Sequence, residues 1–347
     1  MWPFGNGKAL SEMPGRENQQ CMLCVKCLIV GLVLVATGVL PLACVSVVDT
    51  GGTDGVLDVT PGAGSGLNIN ELRERAGQGD AQAQCGLGYC YNTGLGVKKD
   101  PIEAAKWIRK AAEQGLPLAQ CWMGDYYLDG RDVDKNPAES ARWYRQAAEQ
   151  GYPLGQFMLS RCYHAGFGVD RDPEQALTLI HKAAEQGLPQ AQSMLGDRYY
   201  SEEKNVTEAL KWYRKAAAQG DGKAQFELGV CYHNGEGVKK DLTEAVTWIR
   251  KAAEQGYALA QWRLGRCYND GIGVSQDSVE ALAWFILAAN STPDAVKDRD
   301  ELAKELGSKK TAQAKQRAQQ IRGKIALHAM KTLGMTNTSR GSRSREL

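Results

Sequence analysis

A short motif that recurs six times dominates this sequence and limits what the chain can fold into. Each copy begins with Gly and has Gln five residues later. The copies begin at Gly79, Gly115, Gly151, Gly187, Gly220 and Gly256. The spacing is 36 residues, except for the 33 residues between the fourth and fifth copies. Repeats of this length are small units that cannot bury their apolar side chains alone, so neighbouring copies are expected to stack.

The first part of each copy has the pattern of an amphipathic helix. In the first copy Ala83, Leu87 and Tyr91 are four residues apart, which places them on one stripe of a helix. The sixth copy has the same residue types at the same positions. A Gly-rich turn follows, at 93–97 in the first copy. Each copy is therefore predicted to begin with a helix that buries one stripe and ends in a turn.

The second part of each copy begins with a helix start signal. An Asp or Asn stands at the predicted N-cap, where its side-chain oxygen accepts from free backbone N–H groups. A Glu or Gln three residues later completes a predicted capping box, in which that side chain returns a bond to the N-cap N–H. The N-cap residues are Asp100, Asn136, Asp172, Asn205, Asp241 and Asp277. The Gly that begins the next copy closes this second helix in the left-handed conformation.

These signals predict an all-α protein, a solenoid of six helical hairpins over residues 70–292. The fourth copy lacks the Gly-rich turn and is three residues short, so its inter-helix loop should be tighter. The sixth copy has Thr292 in place of the closing Gly, followed by Pro293, which marks the end of the array. Capping helices are expected over 293–334, near 293–306 and 309–334, and a basic disordered tail over 335–347.

The residues that recur resemble the Sel1-like repeat, a relative of the tetratricopeptide repeat. The fifth copy shows the pattern in full, with AQ at 224, LG at 228, GEGV at 235, EA at 244 and KAA at 251. The resemblance covers about 210 residues in six copies, and 294–306 is similar to the C-terminal cap of bacterial members. It implies a right-handed superhelix that binds protein or peptide partners, often at cell envelopes or host contacts.

An apolar segment near the N-terminus is long enough to cross a bilayer. Cys27 to Val48 holds 22 residues without a charge, and about 20 suffice for a spanning helix. Lys26 precedes the run and acidic residues follow it, which predicts a cytoplasmic N-terminus and an exported body. The segment before Cys44 resembles a bacterial lipobox, in which that Cys is lipidated, although Pro41 stands where an aliphatic residue is expected.

Three interpretations of residues 1–48 stay open: a lipoprotein signal, an uncleaved signal anchor, and an ordinary cleaved signal, the last favoured if translation begins at Met22. All three place the repeats outside the cytoplasm, in the periplasm or beyond, with residues 49–69 as a flexible tether. The charge balance of 42 Lys and Arg against 40 Asp and Glu gives no reason to expect nucleic acid as a partner.

Ten Cys and four His are distributed without a convincing metal or disulfide pattern. Four of the Cys occupy equivalent positions in different copies, and stacked helices are about 10 Å apart, beyond the roughly 7 Å that a disulfide spans. We therefore predict small buried thiols, with a few bridges as the alternative. The cluster Cys21, Cys24 and Cys27 is interpreted as free thiols beside the apolar run, and His164 and His233 as loop residues.

No constellation of catalytic residues stands out. Ser201 to Lys204 matches the S-x-x-K of penicillin-interacting enzymes, but the SDN and KTG elements that accompany it are absent. We predict that the protein is not an enzyme and needs no cofactor or metal. A cell-wall hydrolase of the β-lactamase type and a purely structural spacer remain the competing hypotheses.

The partner-binding surface is predicted on one face of the first helices, at positions three, seven and ten after each repeat Gly, with the candidates taken from positions seven and ten. These positions vary among the copies while their neighbours do not, and large apolar groups beside charges suit an interface. The candidate residues are Tyr89, Trp122, Asp125, Met158, Arg161, Met194, Asp197, Glu227, Arg263 and Arg266. A solvated face that is free to vary is the alternative. The sequence thus predicts an envelope-anchored scaffold that binds a protein or peptide partner on the concave face of the solenoid.

Overall fold

A computed structural model describes residues 68–131 and 133–332, and these residues form helices and turns only. The predictions for the apolar segment, for Cys44, for nearly all of the tether and for the basic tail concern residues outside the described ones. The helices are α1 (Ile69–Gly77), α2 (Ala81–Thr93), α3 (Pro101–Glu113), α4 (Pro117–Asp129), α5 (Pro137–Glu149), α6 (Pro153–Ala165), α7 (Pro173–Glu185), α8 (Pro189–Ser201), α9 (Val206–Ala218), α10 (Gly222–Asn234), α11 (Leu242–Glu254), α12 (Ala258–Asp270), α13 (Ser278–Ala288) and α14 (Pro293–Thr332).

Helices α2 to α13 form six hairpins that stack in chain order, which confirms the predicted α-solenoid. Each helix packs on the one before it and the one after it, so every hairpin is covered by its neighbours. The first helices also contact each other across repeats, α4 with α6 and α8 with α10. Contacts of comparable extent do not join two second helices in the described residues. At these two junctions, successive first helices therefore lie in direct contact.

The core of the described residues consists of seven hydrophobic clusters along the solenoid, each built from several helices. The predicted stripe lies in it: Ala83 and Leu87 are fully buried, whereas Tyr91 is only half-buried. Close packing depends on Gly in the first helices. A Cβ at Gly88 would lie 2.6 Å from Cγ1 of Ile108 on the second helix. The second helix therefore packs directly on the backbone of the first helix at this Gly, and this contact keeps the two helices of the hairpin close together.

The predicted helix ends are confirmed, with one correction. All six Asp or Asn residues cap the second helices; Asp100, for example, accepts from the Glu103 N–H at 3.0 Å. The other half of the capping box was wrong. The N–H of Asp100 donates instead to the carbonyl of Tyr91 at 2.9 Å, and the other five N-caps donate to the equivalent Tyr. The carbonyl of the preceding helix takes the N–H that the Glu side chain was predicted to accept from. Glu103 forms an ion pair with Lys106 instead.

A buried Gln, to which the sequence analysis assigned no role, joins successive repeats. Gln120 on α4 donates from Nε2 to the carbonyl of Ala112 in the preceding repeat, at 3.3 Å. Its Oε1 accepts from Nε2 of Gln150, at the end of its own repeat, at 2.8 Å. The same Gln–Gln bond occurs in five repeats. This Gln is the residue that ends the recurring six-residue motif, and its recurrence follows from the need to satisfy buried polar groups.

The two ends of the array are built differently. Helix α1 was not recognised from the sequence as a separate helix; it packs on α2 in the position of a second helix, with Leu72 and Ala76 buried. At the other end α14 is interrupted at Gly307, whose φ of 72° and ψ of 176° are not helical. The part after Gly307 turns back, and Ala318 and Ile321 join the core of the last two repeats.

Within the described residues, none of the helices is both long and apolar enough to cross a bilayer. The six described cysteines are buried free thiols, as predicted. Burial raises the pKa of Cys85 and Cys231 to about 12 and that of Cys162 and Cys267 to about 11. These thiols are therefore protonated at neutral pH and poorly nucleophilic.

Candidate partner-binding surface

The predicted positions seven and ten lie side by side along the first helices, and we call the ten candidate residues the first-helix face. All ten are half-buried rather than fully exposed. Several touch or influence one another across neighbouring repeats: Tyr89 stacks on Trp122, and the charge of Arg161 acts on Asp125. The candidate residues of neighbouring repeats therefore lie close together at these junctions. Nothing in the structure tests whether a partner binds there, so the binding role stays a prediction.

The first four repeats present apolar side chains on this face. The rings of Tyr89 and Trp122 are stacked with centroids 6.1 Å apart and planes 28° apart. Burial raises the pKa of Tyr89, which keeps its hydroxyl neutral. Met158 in the third repeat and Met194 in the fourth pack on the core below while remaining partly exposed. A pair of aromatic rings with adaptable Met side chains offers apolar contact area.

Asp125 in the second repeat is tied to the interior of its own hairpin. Its carboxylate accepts from the hydroxyl of Tyr144 on α5 at 2.6 Å. Burial raises the pKa of Asp125 to about 6, although the bond from Tyr144 and the charges of Arg131 and Arg161 lower it. Burial also raises the pKa of Tyr144, with the nearby carboxylate adding to the effect. Asp125 therefore has a structural role, which the sequence analysis did not anticipate.

A cluster of charges joins the fourth and fifth repeats. The carboxylate of Asp197 accepts from Nζ of Lys223 and, at 2.9 Å, from the hydroxyl of Tyr213. Asp221 caps α10 and accepts from the Ala224 N–H at 2.7 Å. With Glu227, the cluster holds three carboxylates against one ammonium group.

The ionisation of this cluster reflects burial and its excess of negative charge. Burial raises the pKa of Glu227 to about 7, and the charge of Asp197 adds to this while Lys223 opposes it. Burial also raises the pKa of Asp221. For Lys223, burial favours a lower pKa, but the charge of Asp197 and the hydrogen bond to it outweigh burial and raise the pKa. At neutral pH the cluster therefore keeps part of a proton on Glu227.

The sixth repeat presents two guanidinium groups, those of Arg263 and Arg266. Arg266 lies over the ring of Trp262, with Cζ 5.7 Å from the centroid. Nε1 of Trp262 donates to Asp298 on α14 at 2.8 Å, which fixes the ring. Burial lowers the pKa of Arg263. The first-helix face thus changes from aromatic to acidic to basic along the solenoid.

The sequence analysis missed four residues that shape this surface: Lys223, Tyr144, Tyr213 and Trp262. A signal for the two Tyr was present. The second helix carries Tyr in the second and fourth repeats and Ile or Phe in the others, and only these two repeats have Asp at position ten. Lys223 stands at position three, which the sequence analysis assigned to the same face without naming the residue.

The residues considered as candidates for catalysis or metal binding do not lie together in one site. The hydroxyl of Ser201 donates to the carbonyl of Asp197 at 2.7 Å, at the end of α8. Lys204 lies in the following loop in the left-handed region, with φ of 54°. Among the described residues, no three His, Cys, Asp or Glu side chains are grouped to hold a metal ion. His164 and His233 lie in the last turns of α6 and α10, next to the loops.

Comparison with known proteins gives the family. The Sel1 repeat matches six times, at 81–116, 117–152, 153–188, 189–221, 222–257 and 258–292. A crystal structure of a Sel1 repeat protein from Oxalobacter formigenes is 34% identical over 65% of this chain and 100% of its own length, with a TM-score of 0.57. The c5321 protective antigen of uropathogenic Escherichia coli is 30% identical over 80% of this chain and 76% of its own, with a TM-score of 0.36.

No match is found among curated proteins. Sel1 repeat proteins are generally scaffolds for protein–protein interaction and are typically not catalytic. The repeats matched by that family make up more than half of this chain and coincide with the six hairpins. The chain therefore belongs to the Sel1 repeat family.

Proposed function

We propose that this protein is an interaction scaffold that binds a protein or peptide partner on the first-helix face. The observation that carries the proposal is the contrast between positions. The residues that pack repeats together, such as the buried Gln and the core Ala, recur in the copies, whereas the first-helix face differs in each. A surface whose chemistry changes from repeat to repeat can recognise one partner along its length.

The apolar end of the first-helix face is the best place to test binding. Trp122 and Met158 supply apolar area, and Arg161 adds a charge beside them. We expect the triple variant Trp122→Ala, Met158→Ala, Arg161→Ala to lose the partners that cross-link to the native protein. Mass spectrometry of the cross-linked species would identify them. A melting curve by circular dichroism would show that the variant still folds.

A matched control lies on the second helices. Ile102, Lys106 and Arg142 have side chains that are about 60% exposed and lie outside the first-helix face. The triple Ala variant at these positions should keep every partner. If both variants keep the same partners, the first-helix face is not the binding surface; a native protein that captures no partner would favour the spacer hypothesis instead.

We further propose that residues 27–48 hold the repeats at a membrane, with the repeats on the outer side. The support is the uncharged run of 22 residues and the charge difference across it. The mass of the mature N-terminus distinguishes the alternatives. A diacylglycerol-modified Cys44 indicates a lipoprotein, an intact residue 1 or 22 indicates an anchor, and an unmodified new terminus indicates a cleaved signal. Recovery of the intact chain in the soluble fraction would contradict anchoring.

A further inference from the structure

A strongly basic segment follows the repeats. The second part of α14, residues 308–332, carries seven Lys or Arg and no Asp or Glu. Residues 309–345 hold ten of the chain's 42 Lys and Arg and no acidic residue, which leaves 32 Lys and Arg against 40 Asp and Glu in the rest of the chain. The near-neutral total therefore combines a basic C-terminal segment with an acidic remainder, and this separation of charge favours an anionic partner for the segment.

This second part of α14 packs on the repeats through one stripe. Ala314, Ala318 and Ile321 are buried, and they lie four and three residues apart, on one side of the helix. A Cβ added at Gly323 would meet nothing within 4 Å, so the helix is open to solvent at that position. We call the exposed side of residues 308–332 the basic face.

The basic face holds five exposed cations. Arg317 has a structural role instead: its Nε donates to Glu280 on α13 at 2.6 Å, which holds this part of α14 on the last repeat. The other cations whose side chains the structure describes form no ion pair with a described carboxylate. They are exposed, at Lys309, Lys310, Lys315, Arg322 and Lys324.

The acidic residues nearest in sequence do not neutralise the basic face. Residues 293–306, the first part of α14, carry five Asp or Glu and three Lys or Arg. Asp298 accepts from Nε1 of Trp262, and Asp300 and Glu301 each pair with a basic residue of the same part. Three of these five acids are thus bonded elsewhere. The basic face can therefore attract an anionic partner from outside the described residues.

We propose that the basic face binds the surface of an anionic phospholipid bilayer. Lys315 and Arg322 lie on one edge of this face and Lys309 and Lys324 on the other, with Gln316 between the two edges. Residues 308–332 extend about 37 Å as a helix. Cations on both edges of a long helix face suit a flat anionic surface, which they can contact along the whole length of the helix.

Two further observations favour lipid over nucleic acid. Leu327 is 47% exposed near the end of the segment, where an apolar side chain can enter the headgroup region of a bilayer. Residues 308–347 contain no Phe, Trp or Tyr, the side chains on which single-stranded nucleic acid stacks. The contact adds a second membrane attachment to the anchor proposed at 27–48, and it does not depend on that anchor.

Photo-cross-linking to lipid tests the proposal in the full-length protein. The photoreactive amino acid p-benzoylphenylalanine replaces Gln316, which is exposed on the basic face, and the protein is placed in lipid nanodiscs. We expect a lipid adduct at this position when about one third of the lipid is phosphatidylglycerol, and none in discs of phosphatidylcholine alone. Raising NaCl from about 0.1 M to about 1 M shortens the Debye length from about 10 Å to about 3 Å and should remove the adduct. The same amino acid at Glu185, an exposed position of α7, should give no adduct in either disc.

A charge-removing variant tests whether the exposed cations are responsible. Its four substitutions are Lys309→Gln, Lys315→Gln, Arg322→Gln and Lys324→Gln, and they should reduce the adduct at position 316 by about 10-fold or more, because each cation near an anionic surface strengthens binding. Exchanging Lys and Arg at the same four positions keeps the charge and should keep the adduct. A matched control removes four exposed cations from other elements and should also keep it, with Lys106→Gln, Arg142→Gln, Lys211→Gln and Lys239→Gln. An adduct of equal yield in both discs, or one that the first variant leaves undiminished, overturns the proposal.

Other occupants of the basic face give different results. If an acidic protein or a second copy of the chain covers it, the adduct at position 316 will be to protein and not to lipid, and the proposal fails. If double-stranded nucleic acid is the partner, added duplex will shift in a gel in the native protein alone while the anionic discs give no adduct, and the proposal fails as well.

Failure of the N-terminal anchor is distinguishable from failure of this inference. A chain that stays out of the discs contradicts the anchor. Vesicles of the same two lipid compositions are then added to the soluble protein. An adduct at position 316 with the anionic vesicles alone supports the proposal without the anchor, and no adduct with either kind of vesicle overturns it.

Discussion

The second and fourth repeats resemble each other in their interiors and differ at their surfaces. Both carry Tyr on the second helix and Asp on the first, and in both the Tyr hydroxyl donates to the Asp: Tyr144 to Asp125 at 2.6 Å and Tyr213 to Asp197 at 2.9 Å. In the second repeat the Tyr144 hydroxyl is the hydrogen-bond donor of the Asp125 carboxylate. In the fourth, Lys223 of the next repeat joins the same Asp.

This difference shows that a variable position is not automatically a binding position. Asp125 varies among the copies because its partner in the hairpin varies, and its carboxylate is already engaged. Asp197 also accepts from a Tyr hydroxyl, but Lys223, Asp221 and Glu227 of the fifth repeat lie beside it. Together these four residues form a charged zone. The charges of this zone thus come from two neighbouring repeats, and a single repeat supplies only part of them.

Substitutions in the interior that the two repeats have in common are expected to have the largest effect on stability. A Cβ at Gly124 would lie 2.6 Å from Cδ1 of Tyr144, and a Cβ at Gly196 would lie 2.6 Å from Cδ1 of Tyr213. Both rings are fully buried and cannot move aside. We expect Gly124→Ala and Gly196→Ala each to reduce the free energy of unfolding by about 3 kcal/mol, measured by urea denaturation.

Gly222 on α10 supplies the control, because the atom nearest to its added Cβ would be Cβ of Tyr257 at 3.8 Å. Gly222→Ala should not destabilise the protein. If only one of Gly124→Ala and Gly196→Ala is destabilising, the two interiors are not equivalent, and the comparison between the repeats fails at its first step.

Removing the Tyr hydroxyls should separate the two repeats. Tyr144→Phe leaves Asp125 buried without its hydroxyl donor and is expected to cost about 2 kcal/mol of unfolding free energy. Tyr213→Phe leaves Asp197 with Lys223 and is expected to cost about 1 kcal/mol. Urea denaturation of both variants measures the difference. Equal losses would mean that Lys223 does not compensate for the missing hydroxyl.

Glu227 in the charged zone should make the stability of the protein depend on pH near neutrality. Burial and Asp197 raise the pKa of Glu227 from 4.5 to about 7. The unfolded chain therefore loses its proton first, so the stability that Glu227 contributes is full below pH 4.5 and falls as the pH rises through 7. The other charged or titratable groups that act near it are Tyr200 and Asp197 on α8, Tyr213 on α9, and Lys223 and Cys231 on α10.

Glu227→Gln removes this dependence. We expect the variant to be more stable than the native protein by about 1 kcal/mol at pH 8 and to gain nothing at pH 4, after allowance for solvent contact. Urea denaturation at the two pH values measures the gain. A gain of the same size at both values would show that ionisation of Glu227 is not its cause.

Much of the fold could be predicted because its determinants are local. The N-cap side chains and the closing Gly act within a few residues, so a sequence motif specifies them. The predicted bond between the N-cap N–H and the Glu side chain was wrong for the opposite reason. The N–H of Asp100 donates to the carbonyl of Tyr91 on another helix. Helix α1 was missed because it is half of a hairpin and carries only Leu72 and Ala76 as buried anchors.

The candidate site was predicted less completely than the fold. Helical spacing placed positions seven and ten on one face of each first helix, and in the first two repeats Tyr89 and Trp122 of that face stack on each other. It could not show that Asp125 is engaged by Tyr144, or that Lys223 reaches back to Asp197 in the previous repeat. These contacts join residues 19 and 26 positions apart, and comparing copies position by position does not reveal such pairs.

The smallest effect is expected in the loop that distinguishes the fourth repeat. The second repeat joins its helices through Gly130, which has φ of 71°, whereas the shortened loop of the fourth uses Lys204 with φ of 54°. A side chain is strained in this region and Gly is not, so Lys204→Gly should stabilise the protein by about 0.5 kcal/mol. Lys204→Ala is the control and should give no gain, since Ala keeps the Cβ. The shift in the urea midpoint measures both, and equal shifts would place the effect in the lost Lys charge rather than in the backbone.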